Sequence, residues 1–264
     1  MKLQRPPSAA LLSRHFTKLY TQHTVRQCAR GHDEIAWLAE RFNVAATRIE
    51  TLVGAHRTLL ANASHELRSP LARIRMALEM LDRGDTAKAR SEITRDISEL
   101  DQLIEEILLA SRLDSPDAPQ EPFEEIDLTA LVAEECARTG ADLNVDGVIV
   151  MQGSPRLLRR LIRNLLENAR HHGGEATAID VSLANKDKII TLAVCDRGPG
   201  VPEAERARIF EPFYRLKGTS ESSGGAGLGL SLVRSIARRH GGAVHCDERE
   251  GGGACFQVTL PISL

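Results

Sequence analysis

The stretch LANASHELRSPLARIRMALEML at residues 60–81 decides the fold of the first half of this chain. Leucine or isoleucine recurs in it at alternating spacings of four and three, with one serine in the series. At this spacing, side chains line one edge of a coiled-coil helix, which we call the seam. These seam residues are Leu60, Ser64, Leu67, Leu71, Ile74, Leu78 and Leu81. The sequence therefore predicts a long helix with a seam that is apolar except at Ser64.

A second seam follows after a short break. Arg83-Gly84-Asp85-Thr86 interrupts the pattern, and apolar residues then recur at the same spacing between residues 93 and 108. Two such helices form a hairpin, which covers only half of its own apolar surface. We therefore predict that two chains associate as a homodimer with four helices around one core.

The pattern changes beyond residue 114. Residues 114–122 contain three prolines and no periodicity, as in a linker that acts as a hinge. Ser154-Pro155 then predicts the N-terminus of a helix that reaches His172. A further helix is predicted at residues 129–138, and strands at 148–151, 179–183, 189–194 and 254–260. This alternation predicts an α/β sandwich, with a shortened sheet edge at residues 139–153.

Composition excludes several classes of function. The formal net charge of −2 gives no basic field that would attract nucleic acid or an anionic membrane surface. Five scattered cysteines without a Cys-x-x-Cys pair predict neither a disulfide framework nor a zinc site, and they fit a reducing compartment. Because no apolar run approaches about 18 residues and no signal segment opens the chain, we expect a soluble protein as given.

His65 is the first candidate for chemistry. It follows Ser64 by one position, so about 100° of helical rotation places its ring at the flank of the seam, within reach of solvent. Pro70 lacks the N–H that would bond the carbonyl of Glu66, which loosens the helix below His65. A neutral imidazole is a nucleophile, and Glu66 could orient it or accept its proton. A lone His-Glu pair is more often an incidental surface feature, so the surrounding residues must decide.

A second cluster of candidates indicates a nucleotide site. Asn164, Asn168 and His171 fall within about 60° of one another on the predicted helix. Asp196 ends a strand, where its carboxylate can accept a hydrogen bond from an amino group. The glycine-rich residues 225–230 open a helix, an arrangement that favours phosphate. They lack the endings of a P-loop and of a Rossmann fingerprint.

Ser64-His65-Glu66-Leu67-Arg68-Ser69-Pro70 resembles the H-box of sensor histidine kinases. The resemblance implies that His65 is the phosphoacceptor and that Glu66 assists phosphoryl transfer. The family usually has Thr or Asn where Ser69 stands, and that residue helps to position water when the kinase dephosphorylates its response regulator. Ser69 retains a hydroxyl, so phosphatase activity is a further expectation.

Residues 164–169, 196–200, 210–215 and 225–230 resemble, in order, the N, G1, F and G2 boxes of the Bergerat-type ATPase and kinase fold. The resemblance spans residues 56–261 and implies a site for ATP and Mg²⁺, with residues 216–224 as a mobile lid. Asn164 and Asn168 would bind Mg²⁺ and phosphates, and Asp196 the adenine amino group. The other expected contacts are His171 and Arg215 near the phosphates, His172 beside adenine, and Gly198, Gly200, Gly225, Gly227, Leu228 and Gly229.

The N-terminal residues resemble a HAMP relay domain at Arg5-Pro6 and at residues 31–43. HAMP domains usually follow a membrane helix, so we expect the cytoplasmic portion of a bacterial inner-membrane sensor, with its span outside this chain. Two alternatives are a stand-alone soluble kinase and, for this segment, an amphipathic helix that merely extends the dimer.

The expected organisation is a HAMP-like segment at 1–54, a phosphotransfer hairpin at 55–114, a linker at 115–122 and an ATP-binding domain at 123–264. The expected activity is ATP-dependent autophosphorylation of His65 and transfer to an aspartate of a response regulator receiver domain. The alternatives are an ATPase of the gyrase, mismatch-repair or chaperone kind and a catalytically silent dimeric adaptor. Those ATPases carry a water-activating Glu four residues before the metal-binding Asn, where this chain has Asn164.

Overall fold

A computed structural model describes residues 34–82, 86–113, 121–173, 178–216 and 226–262. The chain divides into two compact units between Thr58 and Leu59. The first unit is described only from Glu34, as the beginning of a helix, so Arg5-Pro6 of the HAMP-like pattern lies outside the described residues. Among the helices that are described, none has the length and apolarity needed to cross a membrane.

Two long helices form the predicted hairpin. Helix α1 covers Glu34–Asp82 and helix α2 covers Thr86–Leu113. One line of residues on each helix is buried at intervals of seven, which is the heptad period of packed helices. This line consists of Ala63, Pro70 and Ala77 on α1 and of Ala89, Asp96, Leu103 and Ala110 on α2. The predicted hairpin is confirmed.

The predicted seam lies beside this buried line. Leu67, Ile74 and Leu81 are half-buried, whereas the remaining leucines of the α1 seam are about half exposed. A matching set on α2 is exposed to a similar degree. We call the exposed set the apolar stripe; its members are Leu60, Leu71, Leu78, Ile97, Ile104 and Leu108. Within one chain the stripe is left uncovered.

The second half of the chain is the predicted α/β sandwich. Its helices are α3 (Leu128–Thr139), α4 (Pro155–Gly173) and α5 (Gly229–Arg239). Its strands are β1 (Glu124–Asp127), β2 (Asp142–Val145), β3 (Val150–Gly153), β4 (Asp180–Lys186), β5 (Ile189–Cys195), β6 (Ala243–Glu248) and β7 (Ala254–Pro261). A five-stranded sheet has the order β2-β4-β5-β7-β6, and β1 pairs with β3 separately.

Three short strands escaped the sequence analysis. β1 and β2 have four residues each and β6 has six, and at least half of the residues in each are exposed. β2 pairs in parallel with β4 and forms one edge of the main sheet. The edge at residues 139–153 therefore carries a short strand, in which polar and apolar residues alternate over only four positions, too few to distinguish a strand from a loop.

Helix α4 carries both core residues and residues of the predicted nucleotide site. Ser154 caps it as predicted, because its Oγ accepts a hydrogen bond from the N–H of Leu157 at 3.3 Å. Leu158, Ile162 and Leu165 are fully buried in the core beneath the sheet. The apolar face thus fixes the helix, which leaves its polar face for binding.

One expectation about the cysteines is wrong. Cys195 on β5 and Cys255 on β7 are directly paired across the sheet and are joined by a disulfide. They are 60 residues apart in sequence, so no local spacing could reveal the pair. Cys136 and Cys246 are free and buried.

Candidate functional site

A cavity of about 1210 Å³ opens between α4, the loop after β5 and the start of α5. Nine of the residues predicted to bind nucleotide line it. They are Asn164, Asn168, His171, His172, Asp196, Gly200, Arg215, Gly227 and Gly229. Gly198 and Leu228 lie immediately beside lining residues, and Gly225 lies outside the described residues.

The two asparagines differ in how they are held. Asn164 is buried, and its Nδ2 donates a hydrogen bond to the carbonyl of Gly229 at 3.1 Å. This bond ties α4 to the first residue of α5 and leaves Oδ1 as an acceptor. Asn168, one turn later, is half-buried on the cavity wall. Amide oxygens are ligands that Mg²⁺ accepts, so this donor set fits the ion.

Asp196 is fixed at the base of the cavity. Its Oδ1 accepts hydrogen bonds from the N–H of Gly198 at 2.8 Å and of Ala254 at 3.2 Å. The side chain is 2 % exposed, so a buried acceptor is held rigidly where a ligand amino group can reach it. Gly198 is required here, because a Cβ would overlap the backbone carbonyl of His172.

The glycine-rich segment brings backbone close to the cavity. Gly227 adopts φ +72°, and a Cβ there would lie 3.1 Å from the backbone of Phe213. Helix α5 begins at Gly229, so free N–H groups of its first turn face the region where an anion would sit. Leu228 is buried, and its carbonyl accepts from the N–H of Leu232 at 2.9 Å.

The two adjacent histidines occupy the end of α4. The rings of His171 and His172 are perpendicular, with centroids 5.0 Å apart. The pKa of His172 is lowered, chiefly by partial desolvation and then by the neighbouring His171. A neutral His172 ring suits contact with a heterocycle, in keeping with its expected place beside adenine.

The predicted phosphoacceptor lies on α1, outside this cavity. His65 is exposed, Glu66 is half-buried and Ser69 is exposed. Helix α1 continues without interruption through Pro70. Ser69 Oγ accepts a hydrogen bond from Arg73 Nη1 at 3.2 Å.

Sequence reasoning missed several residues of the cavity wall. Gln102 and Glu106 come from the hairpin helix α2, and no local motif links them to α4. Glu106 is buried, and its Oε1 accepts from Arg160 Nη2 at 2.5 Å and from Gln102 Nε2 at 3.2 Å. Burial raises the pKa of Glu106. Arg170 and Tyr214 stand within or beside the quoted motifs and could have been included.

Comparison with known proteins identifies both halves of the chain. Residues 55–116 match the His Kinase A (phospho-acceptor) domain, and this range contains His65. Residues 153–264 match the histidine kinase-, DNA gyrase B- and HSP90-like ATPase family, and this range contains the cavity residues of α4, β5 and α5. Sensor protein RstB of Escherichia coli strain K12 is 39 % identical over 234 residues, which are 85 % of this chain and 53 % of RstB. The chain belongs to the sensor histidine kinases.

Other sensor histidine kinases align over the same region. The signal transduction histidine-protein kinase/phosphatase MprB of Mycolicibacterium vanbaalenii is 30 % identical over 250 residues, 88 % of this chain and 51 % of MprB. The histidine kinase ThkA, solved in complex with the response regulator protein TrrA, superposes with a TM-score of 0.65 over 84 % of this chain and 66 % of that one, at 22 % identity. That superposition supports the fold. The chain spans about half the length of these curated relatives.

Proposed function

We propose that this sensor histidine kinase segment phosphorylates its own His65 from ATP and passes the phosphoryl group to an aspartate of a response regulator receiver domain. The observation that carries the proposal is the combination of an exposed imidazole on the hairpin with a separate cavity in which the predicted nucleotide residues converge. In this step an imidazole nitrogen forms a bond to the γ-phosphorus while the bond to the leaving ADP oxygen breaks. Glu66 accepts or orients the ring proton.

The cavity residues have distinct roles in this proposal. Asp196 accepts a hydrogen bond from the adenine amino group at Oδ2, since the two backbone N–H groups that bind this carboxylate both donate to Oδ1. Gly227, Gly229 and Arg215 surround the phosphates. Asn164 and Asn168 would hold Mg²⁺, which would neutralise phosphate charge. Asn164 cannot act as the base of a hydrolytic ATPase, because its side chain is a neutral amide and not a carboxylate.

Movement is part of the proposed activity, because His65 lies outside the cavity wall. The nucleotide domain would move about the predicted hinge at 115–122, most of which lies outside the described residues. The predicted lid at 216–224 is described only at Leu216. Both segments let the γ-phosphate approach the imidazole while the two folded domains stay intact.

The homodimer is supported by the apolar stripe. On α1 the stripe lies about 80° around the helix from the buried line, and on α2 it lies about 100° from the corresponding line. Each helix therefore has one edge for its own hairpin and another for a partner. Six apolar side chains about half exposed on one face favour a second copy of the hairpin, whose stripe has the same chemistry.

The remaining proposals concern cellular location, domain organisation and phosphatase activity. We propose that the chain is the cytoplasmic portion of a bacterial inner-membrane sensor, in which a HAMP-like segment at 1–54 passes a signal into α1. The proposed domains are the hairpin at 55–114, the linker at 115–122 and the ATP-binding domain at 123–264. The related protein MprB is named a kinase/phosphatase, which supports the proposal that this chain also has phosphatase activity and that Ser69 takes part in it.

Nucleotide binding by variants tests the proposed cavity. Asn168→Ala should weaken binding of Mg·ATP by about tenfold or more, since it removes a metal and phosphate ligand at a cost of roughly 1.4 kcal/mol or more. Binding is measured by titration calorimetry, with dimerisation monitored by light scattering. Asn185→Ala, an exposed asparagine on β4, is the matched control and should bind normally. Equal affinities for the two variants would refute the assignment.

A further inference from the structure

Ser69 is bound by another side chain, unlike four other hydroxyl residues of α1 and α2. Thr58, Ser64, Thr94 and Ser98 each donate their hydroxyl proton to the carbonyl four residues earlier, at 2.8–3.0 Å. No such bond joins Ser69 Oγ to the carbonyl of His65, although the structure describes both residues. The Ser69 hydroxyl instead accepts from Arg73 Nη1 at 3.2 Å.

Arg73 has little freedom to leave this position. Its Nε donates to Asp96 Oδ1 at 2.9 Å, and its Nη2 donates to Glu99 Oε2 at 2.5 Å. The Asp96 side chain is only 1 % exposed, so its charge must be paired within the hairpin. Two carboxylates of α2 therefore bind Nε and Nη2 of the guanidinium group, and its Nη1 donates to Ser69 Oγ.

The direction of these bonds determines what Ser69 can do. A guanidinium only donates, so Ser69 Oγ must be the acceptor, and its own O–H proton remains available to another acceptor. Ser69 lies one helical turn, about 6 Å, from His65 along α1. The hydroxyl proton is thus available on the exposed surface beside the phosphoacceptor.

We propose that Arg73 is a positioning residue for dephosphorylation of the receiver aspartate, acting by holding the Ser69 hydroxyl as a hydrogen-bond donor. The proposal rests on the proposed function of this chain. In the reaction, water forms a bond to phosphorus as the bond to the aspartyl oxygen breaks, which releases inorganic phosphate and a free carboxylate. A water that accepts from Ser69 O–H keeps a lone pair for the phosphorus.

The same geometry separates the two activities of the hairpin. Autophosphorylation needs the His65 ring, and no hydrogen bond or ion pair among the described residues joins Arg73 to it. Without the bond from Arg73, the Ser69 hydroxyl can donate to the carbonyl of His65, so we expect dephosphorylation to slow. The His65 ring stays exposed. Because Nε and Nη2 of Arg73 donate to residues of α2, a shift of α1 relative to α2 would change the position of the Ser69 hydroxyl. Such a shift would affect dephosphorylation and leave the His65 ring exposed.

The test compares the two activities in matched variants. The receiver is chosen from a panel of purified receiver domains as the one that accepts label fastest from the phosphorylated chain. It is then phosphorylated on its aspartate with phosphoramidate, and its loss of phosphate is followed with each full-length variant. Arg73→Gln should slow this loss tenfold or more and keep the rate of His65 labelling from ATP within a factor of two. Arg75→Gln, an exposed arginine on the same helix, is the control and should change neither rate.

A double-mutant cycle shows whether Arg73 acts through Ser69. Ser69→Ala should slow dephosphorylation as much as Arg73→Gln, and the double variant should be no slower than Ser69→Ala. Additive losses, or normal dephosphorylation by Arg73→Gln, would overturn the proposal. If Arg73→Gln unfolds the hairpin, Arg73→Met combined with Asp96→Leu replaces the buried pair by apolar side chains and allows the same comparison. If no receiver accepts label, the proposed transfer fails, and the role of Arg73 fails with it.

Discussion

Single residues fix the nucleotide cavity through close backbone contacts. Gly198 is the clearest case, since a Cβ at this position would overlap the carbonyl oxygen of His172 and approach Asp196 Oδ1. We expect Gly198→Ala to shift the loop that carries Asp196 and to lower affinity for ATP by at least tenfold. Gly140→Ala is the matched control: it has φ +71° but open space, so it should cost about 1–2 kcal/mol of stability and leave ATP affinity unchanged. Titration calorimetry and urea unfolding separate the two effects, and unchanged ATP affinity in Gly198→Ala would contradict the account.

His240 makes the stability of the catalytic domain depend on pH. The ring is 1 % exposed; its Nε2 accepts from the N–H of Ser154 at 3.1 Å, and its Nδ1 lies 2.8 Å from the carbonyl of Ile236. The Nε2 bond requires a neutral ring, because a protonated nitrogen cannot accept, and burial, assisted by the charge of Arg239, lowers the pKa of His240 below its usual 6.5. The folded state therefore binds fewer protons than the unfolded state. Its stabilisation is complete above about pH 6.5 and is lost as the pH falls through the lowered pKa.

Urea unfolding between pH 5 and pH 8 measures this effect. The free energy of unfolding of the unmodified protein should fall more steeply on acidification than that of His240→Gln. His245→Gln, at an exposed histidine of β6, should retain the slope of the unmodified protein. A slope unaffected by His240→Gln would show that the buried ring does not set the pH dependence.

At the scale of elements, the hairpin shows what a sequence period can and cannot establish. The four-and-three spacing of leucines predicted two helices, and both are present. It did not predict which residues pack inside one chain, because the buried line is made of alanines, Pro70, Asp96 and Leu103, which lie about 80–100° from the seam. The spacing of the large apolar residues identifies the apolar face of each helix, but the small residues beside that face determine where the two helices pack together.

The apolar stripe carries the prediction about assembly. Leu78→Glu places a carboxylate in the proposed dimer core, where an unpaired charge costs several kcal/mol. We expect the dimer dissociation constant to rise at least about 100-fold, which corresponds to roughly 2.7 kcal/mol. Met76→Glu is the control, since Met76 is also exposed but lies about 160° away around α1. Light scattering over a range of concentrations would contradict the account if both variants remained equally dimeric.

A largely buried ion pair between Glu106 and Arg160 joins α2 to α4. Arg160→Met leaves the Glu106 carboxylate buried without its cation, and breaking such a pair typically costs about 3–5 kcal/mol. Replacing both residues by Met should recover most of that loss. Arg156→Met removes an exposed pair with Glu121 and should cost at most about 1 kcal/mol. Equal losses in Arg160→Met and Arg156→Met, measured by urea unfolding, would show that burial of Glu106 does not matter.

At the scale of the whole molecule, the residues that the sequence proposes for the site converge on one cavity, whereas several of their neighbours could not be predicted. Asn164 and Asn168 lie in one segment, and Asp196 and Gly227 lie in two others; the fold brings all four to one cavity, in agreement with the order of the motifs. Gln102 and Glu106 could not be predicted, because their place depends on how α2 packs on the second half of the chain, chiefly against α5. The Cys195–Cys255 disulfide was missed for the same reason: strand register, set by the whole sheet, brings the two residues together.

The central claim concerns the relation between His65 and the nucleotide cavity, and phosphorylation of the purified chain tests it most directly. Incubation with γ-labelled ATP and Mg²⁺ should give a protein-bound label that is lost in acid and stable in base. His65→Gln should abolish the label, whereas His245→Gln, at an exposed histidine outside the hairpin, should retain it. Label that persists in His65→Gln, or a chain that binds ATP and never becomes labelled, would contradict the account.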